Sequence, residues 1–542
     1  MRVPRSDAGF RPWRARQRAR IASDPAARSV TAAWAIAALI CAVVSLGLLW
    51  VYGNRLVFSN DEGIILDAAE RMVHGQAPYR DFFTYMSPGS YWLQEGAFRL
   101  FGLNLPAGRV VVIFDFGVEC ALLFWLTARL AGRKAGFAAT ALFFAFQVSR
   151  PDYLLAQHRM DSEALSLLSI ALCLEGRRRG AWYWLAAGVL AVAAGVCTPS
   201  MALLAPVTLV WLLAERPLRR FLVPYIGGLC AGAVAVAAAL MATGSLRAFV
   251  EQMIWLRRNY SDVNVMPYGS LIGGYGAALG TATGTARVFR SLALFCIALP
   301  AVLPVVALAA WGLWMLLRRG ERRWAAENAI PYLLACMAMH AVSTFPRSDV
   351  THLAFVAVLP AALTAAWIVR YAPWWIGAAA LAVLAVWGGI FLVQPAIGLR
   401  DDVALRSPVG TLHAPASDAQ AVGALLKVVR PGDGLFVHPY MPVLYFLTQG
   451  RNPTRTSYLA PGLMTHTEEA AALDDLEKSP PRWLLYLRLS RAEFLRVCPH
   501  AGNIDERFHM IEDWREREYV PVEPAVMVAG YRLYERRAMP VK

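Results

Sequence analysis

Charge is scarce in this chain. Asp, Glu, Lys and Arg make up 17% of its 542 residues, against roughly 25% in an ordinary soluble domain. Cysteine is thin as well: there are eight, and seven of them (Cys41, Cys120, Cys173, Cys197, Cys230, Cys296 and Cys336) stand in apolar runs, where the thiol behaves as a small hydrophobe. Only Cys498 lies in polar sequence, with no partner near it. No CxxC or Cys/His ligand spacing occurs, which leaves no disulfide framework and no structural zinc to hold the fold. G-x-G-x-x-G and the P-loop are missing too, so nothing argues for a nucleotide. There is no internal repeat.

Apolar surface is what the chain has in excess. Hydrophobic residues reach 57%, with 18 Trp, 19 Tyr and 24 Phe, and the mean hydropathy is +0.43. One water-soluble core cannot absorb that much, because single cores stop growing at about 250–300 residues. The same composition excludes disorder. The chain reads as a polytopic α-helical membrane protein.

Charge placement then gives a topology. Residues 1–29 carry eight Arg against Asp7 and Asp24 and read as a basic cytoplasmic tail; neither this tail nor the net charge of +15 implies a nucleic-acid partner. Residues 30–52 hold no charge and, at about 1.5 Å per residue, are long enough to cross a bilayer. Further apolar stretches lie at 108–128, 135–149, 162–175, 181–198, 200–214, 221–243, 291–317, 328–345, 350–369 and 373–395, which makes about eleven spans. The short turns at 129–134, 177–179, 216–220, 318–323 and Arg370 are basic and all fall on one side, so the positive-inside rule puts them and the N-terminus in the cytoplasm. The expected organisation is a tail (1–29), a transmembrane domain (30–396) and an extracytoplasmic α/β domain (397–542). That last domain is expected to have strands at 434–438, 483–487 and 526–534, and helices at 419–429 and 442–448.

Three outward segments are long: 53–107, 150–161 and 244–290. In the first, Ser59-Asn60-Asp61-Glu62 has the form of a capping box opening one helix, and Ser87-Pro88 opens another that Gly102 ends. In the third, the apolar stripe Leu246, Phe249, Val250, Met253 and Ile254 predicts a helix lying in the interface plane.

The run Asn60-Asp61-Glu62-Gly63, with Gly75-Gln76-Ala77-Pro78-Tyr79-Arg80-Asp81-Phe82, Ser87-Pro88-Gly89-Ser90-Tyr91 and Phe101-Gly102 after it, resembles the first outer loop of the GT-C membrane glycosyltransferases. It is most similar to the branch of protein O-mannosyltransferases and bacterial aminoarabinose transferases. The resemblance implies an enzyme that moves a hexosyl or pentosyl group, with inversion, from a polyprenyl-phosphate donor to an extracytoplasmic hydroxyl of a lipid, glycan or protein. It also implies a place in a bacterial plasma membrane, among membrane lipids. Asp61 would be the catalytic carboxylate, Glu62 its neighbour, and Asp161 a second carboxylate facing the same cavity. Capping is the alternative role for each: Glu62 as the reciprocal partner of Ser59, Asp161 at the start of its helix.

The donor phosphate and substrate would meet Tyr79, Arg80, Asp81, His158, Arg159, Arg347 and His352. Many relatives carry Lys-Pro-Pro where this chain has Met86-Ser87-Pro88, and Lys where it has Cys197-Thr198-Pro199. The cations left to hold a phosphate are Arg80, Arg159 and Arg347. The spacing shows no dedicated metal site; a hard divalent cation, if held, would draw on Asp61, Asp161 and His158. Asp115 and Glu119, four apart within a span, are expected to pair structurally toward Arg109 or a neighbouring polar helix face. Two other readings stand beside the transferase: a polymerase or ligase of surface polysaccharide, and a transporter or flippase of lipid-linked sugars.

Overall fold

The computed structural model describes residues 25–538 except 261–263, 272–273 and 319–321; most of the basic tail expected at 1–29 lies outside the described residues. The chain opens with α1 (Pro25–Tyr52), α2 (Asn60–Val73), α3 (Gly89–Phe101), α4 (Leu105–Ala131), α5 (Arg133–Val148), α6 (His158–Arg179) and α7 (Ala181–Cys197). It continues through α8 (Leu204–Ala214), α9 (Leu222–Ala242), α10 (Leu246–Asn259), α11 (Gly284–Leu317), α12 (Ile330–Ser343), α13 (Val350–Ala354), α14 (Val358–Tyr371) and α15 (Trp374–Arg400). Each apolar stretch read from the sequence carries at least one of these helices. Five described helices, 31–52, 105–131, 216–242, 284–317 and 374–400, are long and apolar enough to cross a membrane, and this is a multi-pass membrane protein. The stretch expected at 350–369 is broken, because α13 stops at Ala354 and α14 starts at Val358.

Small residues set how closely the spans approach, as is usual where no hydrophobic drive separates helix from lipid. At the α7–α9 crossing a Cβ added to Gly228 would lie 2.0 Å from the Leu185 carbonyl oxygen.

Side-chain capping bonds start the first outer-loop helix and the span that follows the loop. The Ser59 hydroxyl accepts the Glu62 amide at 3.4 Å and starts α2. Asn104 accepts the Ala107 amide at 2.9 Å and starts α4. Between them Gly102, at φ +84°, turns the chain out of α3.

After α15 come a hairpin of β1 (Asp402–Ser407) and β2 (Gly410–Pro415), then α16 (Ala416–Val428), β3 (Leu435–His438), α17 (Val443–Thr448) and α18 (His466–Lys478). β4 (Trp483–Tyr486), β5 (Tyr519–Pro521), β6 (Met527–Val528) and β7 (Tyr531–Arg536) complete it. The larger sheet runs β3-β4-β7-β5, with β3 and β4 parallel and β6 paired to β7. The stretch 526–534, read as one strand, is two. Ala529 and Gly530 both have positive φ, 49° and 84°, the signature of a two-residue hairpin turn.

This α/β region has one core of its own, around Phe436, Leu484, Ile511 and Trp514, and shares a second with the membrane side. Val422, Val443, Phe446, Leu485 and Leu533 belong to one apolar cluster with Ile65, Leu66, Phe98 and Leu105 from α2, α3 and α4. The contact is close at Gly63, where a Cβ would meet the Val443 amide nitrogen at 2.2 Å. α2 is therefore wedged between the membrane helices and the C-terminal sheet.

Candidate active site

A cavity of about 530 Å³ lies where α2, α6, α13 and the C-terminal region meet, within the range that encloses a small substrate. Asp61 reaches it from the first turn of α2, where the unpaired amides of a helix start favour an anion. Its Oδ2 accepts the Gln157 side-chain amide at 3.0 Å. Among the described residues Asp61 is the only carboxylate lining the cavity.

The opposing charge comes from the start of α6 and the loop before α13. Arg159 is 8% exposed, and its Nη1 has no hydrogen-bond partner. A buried guanidinium nitrogen left this way is costly, and an anion entering the cavity would relieve it. Arg347 lies 3.7 Å from Asp349 and donates to Asn264 at 3.4 Å. His352 holds Asp349 through Nδ1 at 2.9 Å. Burial alone would raise the Asp349 carboxyl, but His352 and Arg347 keep it below the usual carboxylate range. His158 Nδ1 meets the Thr198 hydroxyl at 2.8 Å. His158, Arg159, Arg347 and His352 all line the cavity.

Glu62 is not there. It is fully buried, and Arg109 grips it with Nε to Oε1 at 2.9 Å and Nη2 to Oε2 at 3.1 Å. The reciprocal capping bond expected of its side chain is replaced by this ion pair. Arg109 also donates to the carbonyl of Tyr52 at 2.8 Å, and the Ala156 amide donates to Glu62 at 3.4 Å. One carboxylate thus ties α2 to the end of α1, to α4 and to the residue before Gln157. Its neighbour Asp61 takes its direction from that knot.

Asp161 is a second correction. It is 4% exposed, lies outside the cavity lining, and sits beside Asp115 and Ser90. Asp115 therefore faces α6 rather than Arg109, which Glu62 already occupies. Glu119 lies nearby with no hydrogen-bond partner.

Tyr79, Arg80 and Asp81 are a third correction. Tyr79 is buried and donates to the Met86 carbonyl at 2.6 Å, Arg80 pairs with Asp81 at 2.7 Å, and Arg80 also reaches the Thr243 carbonyl at 2.8 Å. These bonds brace the loop and leave its cations away from the cavity. Among the described residues no three His, Cys, Asp or Glu side chains converge as metal ligands. Asp61 and His158 engage Gln157 and Thr198, and Asp161 lies outside the cavity lining, so the three do not form one donor set.

Several cavity residues carried no readable signal in the sequence: Gln157, Asn264, Tyr85, Tyr260 and Tyr458. Tyr440, just past the strand expected at 434–438, is the one that the sequence placed where it could face the cavity, and it lines it. The four tyrosines span most of the chain, and nothing in their local sequence links them.

The arrangement of outer-loop helices, membrane helices and a C-terminal α/β region is the fold of the GT-C membrane glycosyltransferases. Among similar solved structures is ArnT from Cupriavidus metallidurans bound to undecaprenyl phosphate, with a TM-score of 0.56 and 13% identity, covering 92% of this chain and 97% of that one. The oligosaccharyltransferase of Archaeoglobus fulgidus in its apo form has a TM-score of 0.50 and 11% identity, covering 87% of this chain and 72% of that one. No family model matches the chain, and no curated protein matches it in sequence.

Proposed function

We propose that this chain is an inverting membrane glycosyltransferase. It transfers a hexosyl or pentosyl group from a polyprenyl-phosphate donor to an acceptor hydroxyl at the outer face of a bacterial plasma membrane. One observation carries the reading: a single cavity holds one oriented carboxylate, Asp61, together with Arg159, Arg347, His158 and His352. The undecaprenyl phosphate named with the ArnT structure supports the class of donor.

The acceptor oxygen attacks the anomeric carbon and its proton passes to Asp61. The bond from that carbon to the phosphate oxygen breaks, and the lipid phosphate leaves with the electron pair. Arg159, whose Nη1 lacks a partner, donates to the charge that develops, and Arg347 stands beside it. Phosphate is a good leaving group, so positioning and electrostatics matter more than acid catalysis. Residues 1–29 are a cytoplasmic tail in this reading, 30–396 the catalytic membrane domain, and 397–542 the outer-face domain.

The test is to incubate the purified chain with a panel of radiolabelled undecaprenyl-phosphate hexoses and pentoses. Transfer of label with inverted anomeric configuration is the expected result. If no donor gives up its sugar, to an added acceptor or to water, the reading is wrong.

A second reading, a transporter of lipid-linked sugars, draws on the buried polar cluster inside the helices. His340 meets Glu163 at 3.1 Å and Ser166 at 2.7 Å, with Glu119, Asp115 and Asp161 close by. Transporters keep such groups at bilayer depth. If Asp115→Asn with Glu119→Gln abolished translocation and left transfer intact, this second reading would gain.

A further inference from the structure

Four tyrosines form a continuous row along the cavity wall. Tyr260 lies tilted beside Tyr85 with ring centroids 6.1 Å apart, Tyr85 lies 5.9 Å from Tyr458, and Tyr458 lies 5.5 Å from Tyr440. All four line the cavity and are half-buried. Tyr260 is within electrostatic reach of Arg159, Arg347 and Asp61. Tyr85 and Tyr458 are within reach of Asp61. Among the nearby ionisable groups acting on Tyr440 are Cys498 and Glu493 of the C-terminal region. The row therefore starts at the cationic end, passes the carboxylate and finishes on the C-terminal domain. Burial raises all four phenols, so each keeps its proton and offers both a donor and an acceptor. No hydrogen bond joins any of the four hydroxyls to another group among the described residues.

Resting on the glycosyltransferase reading, we propose that Tyr458 and Tyr440 form the acceptor subsite and that the acceptor is a neutral carbohydrate, so that this enzyme extends or decorates a glycan. The distal half of the row lies past Asp61 from the phosphate end, which is where an attacking hydroxyl must arrive. Its chemistry is that of a sugar platform: flat rings pack on the C–H face of a pyranose while phenols at their edge exchange hydrogen bonds with its hydroxyls. Leu463 and Phe494 complete that end of the cavity without adding charge. Among the described residues the Asp, Glu, Lys and Arg side chains lining the cavity are Asp61, Arg159 and Arg347; the first serves the reaction and the arginines the donor phosphate, which leaves none to recognise a charged acceptor.

The experiment uses the full chain in lipid nanodiscs with a radiolabelled undecaprenyl-phosphate sugar that supports turnover, or release to water. Three acceptors are compared: neutral methyl hexopyranosides, a Ser/Thr peptide, and a long-chain alcohol as a lipid hydroxyl. Saturation-transfer NMR of the methyl glycosides runs in parallel and reads binding without turnover. The glycoside is expected to saturate at the lowest concentration. Tyr458→Ala and Tyr440→Ala should each raise its KM by about tenfold, the scale of a lost aromatic contact, and weaken its NMR signal, with the donor KM little changed. Tyr458→Phe keeps the packing and should show a smaller rise, which separates lost hydroxyl chemistry from a fold defect. A lower KM for the peptide or the alcohol overturns the proposal, as does an unaltered glycoside KM and NMR signal in both alanine variants. Failure of every donor with every acceptor and with water overturns the underlying reading, and this subsite with it.

Discussion

Replacing Glu62 by Gln leaves the Arg109 guanidinium buried without its counter-charge. Breaking a buried pair from one side costs about 3–5 kcal/mol, and both side chains here are at most 1% exposed. Glu62→Gln is therefore expected to lower the unfolding midpoint sharply, and thermal unfolding of the purified variant checks it. The local sequence hid this, since Arg109 is 47 residues away and the capping-box pattern at Ser59 offered a nearer partner. Arg159 makes the contrasting case. With Nη1 lacking a protein partner, Arg159→Gln should leave stability nearly unchanged. It should raise the donor KM by roughly 10- to 150-fold, the range for hydrogen bonds to a charged group. A fall in stability with an unaltered donor KM would assign Arg159 to the fold.

The helices announced themselves where a local rule applied. Ser59, Pro88 and Gly102 start or end elements at positions that capping chemistry dictates. The hairpin β1–β2 and the turn at Ala529–Gly530 escaped notice because strands of two to six residues carry no long period. The wedge of α2 against the C-terminal region was equally silent, since it depends on Gly63 meeting Val443. That wedge has its own titration. Glu70 on α2 is pushed up to about 9 by burial first and by Asp67 next. Its folded carboxyl stays protonated while the unfolded chain releases the proton above 4.5. The stability it contributes is complete at low pH and is lost as pH rises from 4.5 towards about 9. Glu70→Gln, neutral at every pH, should flatten that decline. Unfolding midpoints of the two proteins across this window decide it, and parallel curves would remove Glu70 from the account.

At the scale of the whole molecule, composition sufficed for the membrane class, and the basic turns carry a proposed direction of insertion. The account places residues 397–542 outside the cell membrane with the cavity. Ser417 is exposed at the start of α16, so a Ser417→Cys variant in intact cells should react with an impermeant thiol reagent. Protection in intact cells together with labelling in broken ones would reverse the topology and move the cavity to the cytoplasm. The cavity itself was less legible. Asp61, His158, Arg159, Arg347 and His352 come from sequence segments whose local patterns stood out, and all five line it. The tyrosine row and Gln157 are brought together by tertiary packing alone.

The central claim is that Asp61 accepts the proton of the attacking hydroxyl. Asp61→Asn keeps the shape and still accepts the Gln157 amide through its side-chain oxygen, yet removes the charge the transition state uses. Sugar transfer from a radiolabelled polyprenyl-phosphate donor, measured together with donor affinity and thermal unfolding, tests it most directly. The account predicts a rate loss of at least about 10²-fold, the scale of losing a general base, with donor binding and stability largely kept. Transfer by Asp61→Asn at close to the wild-type rate would contradict it.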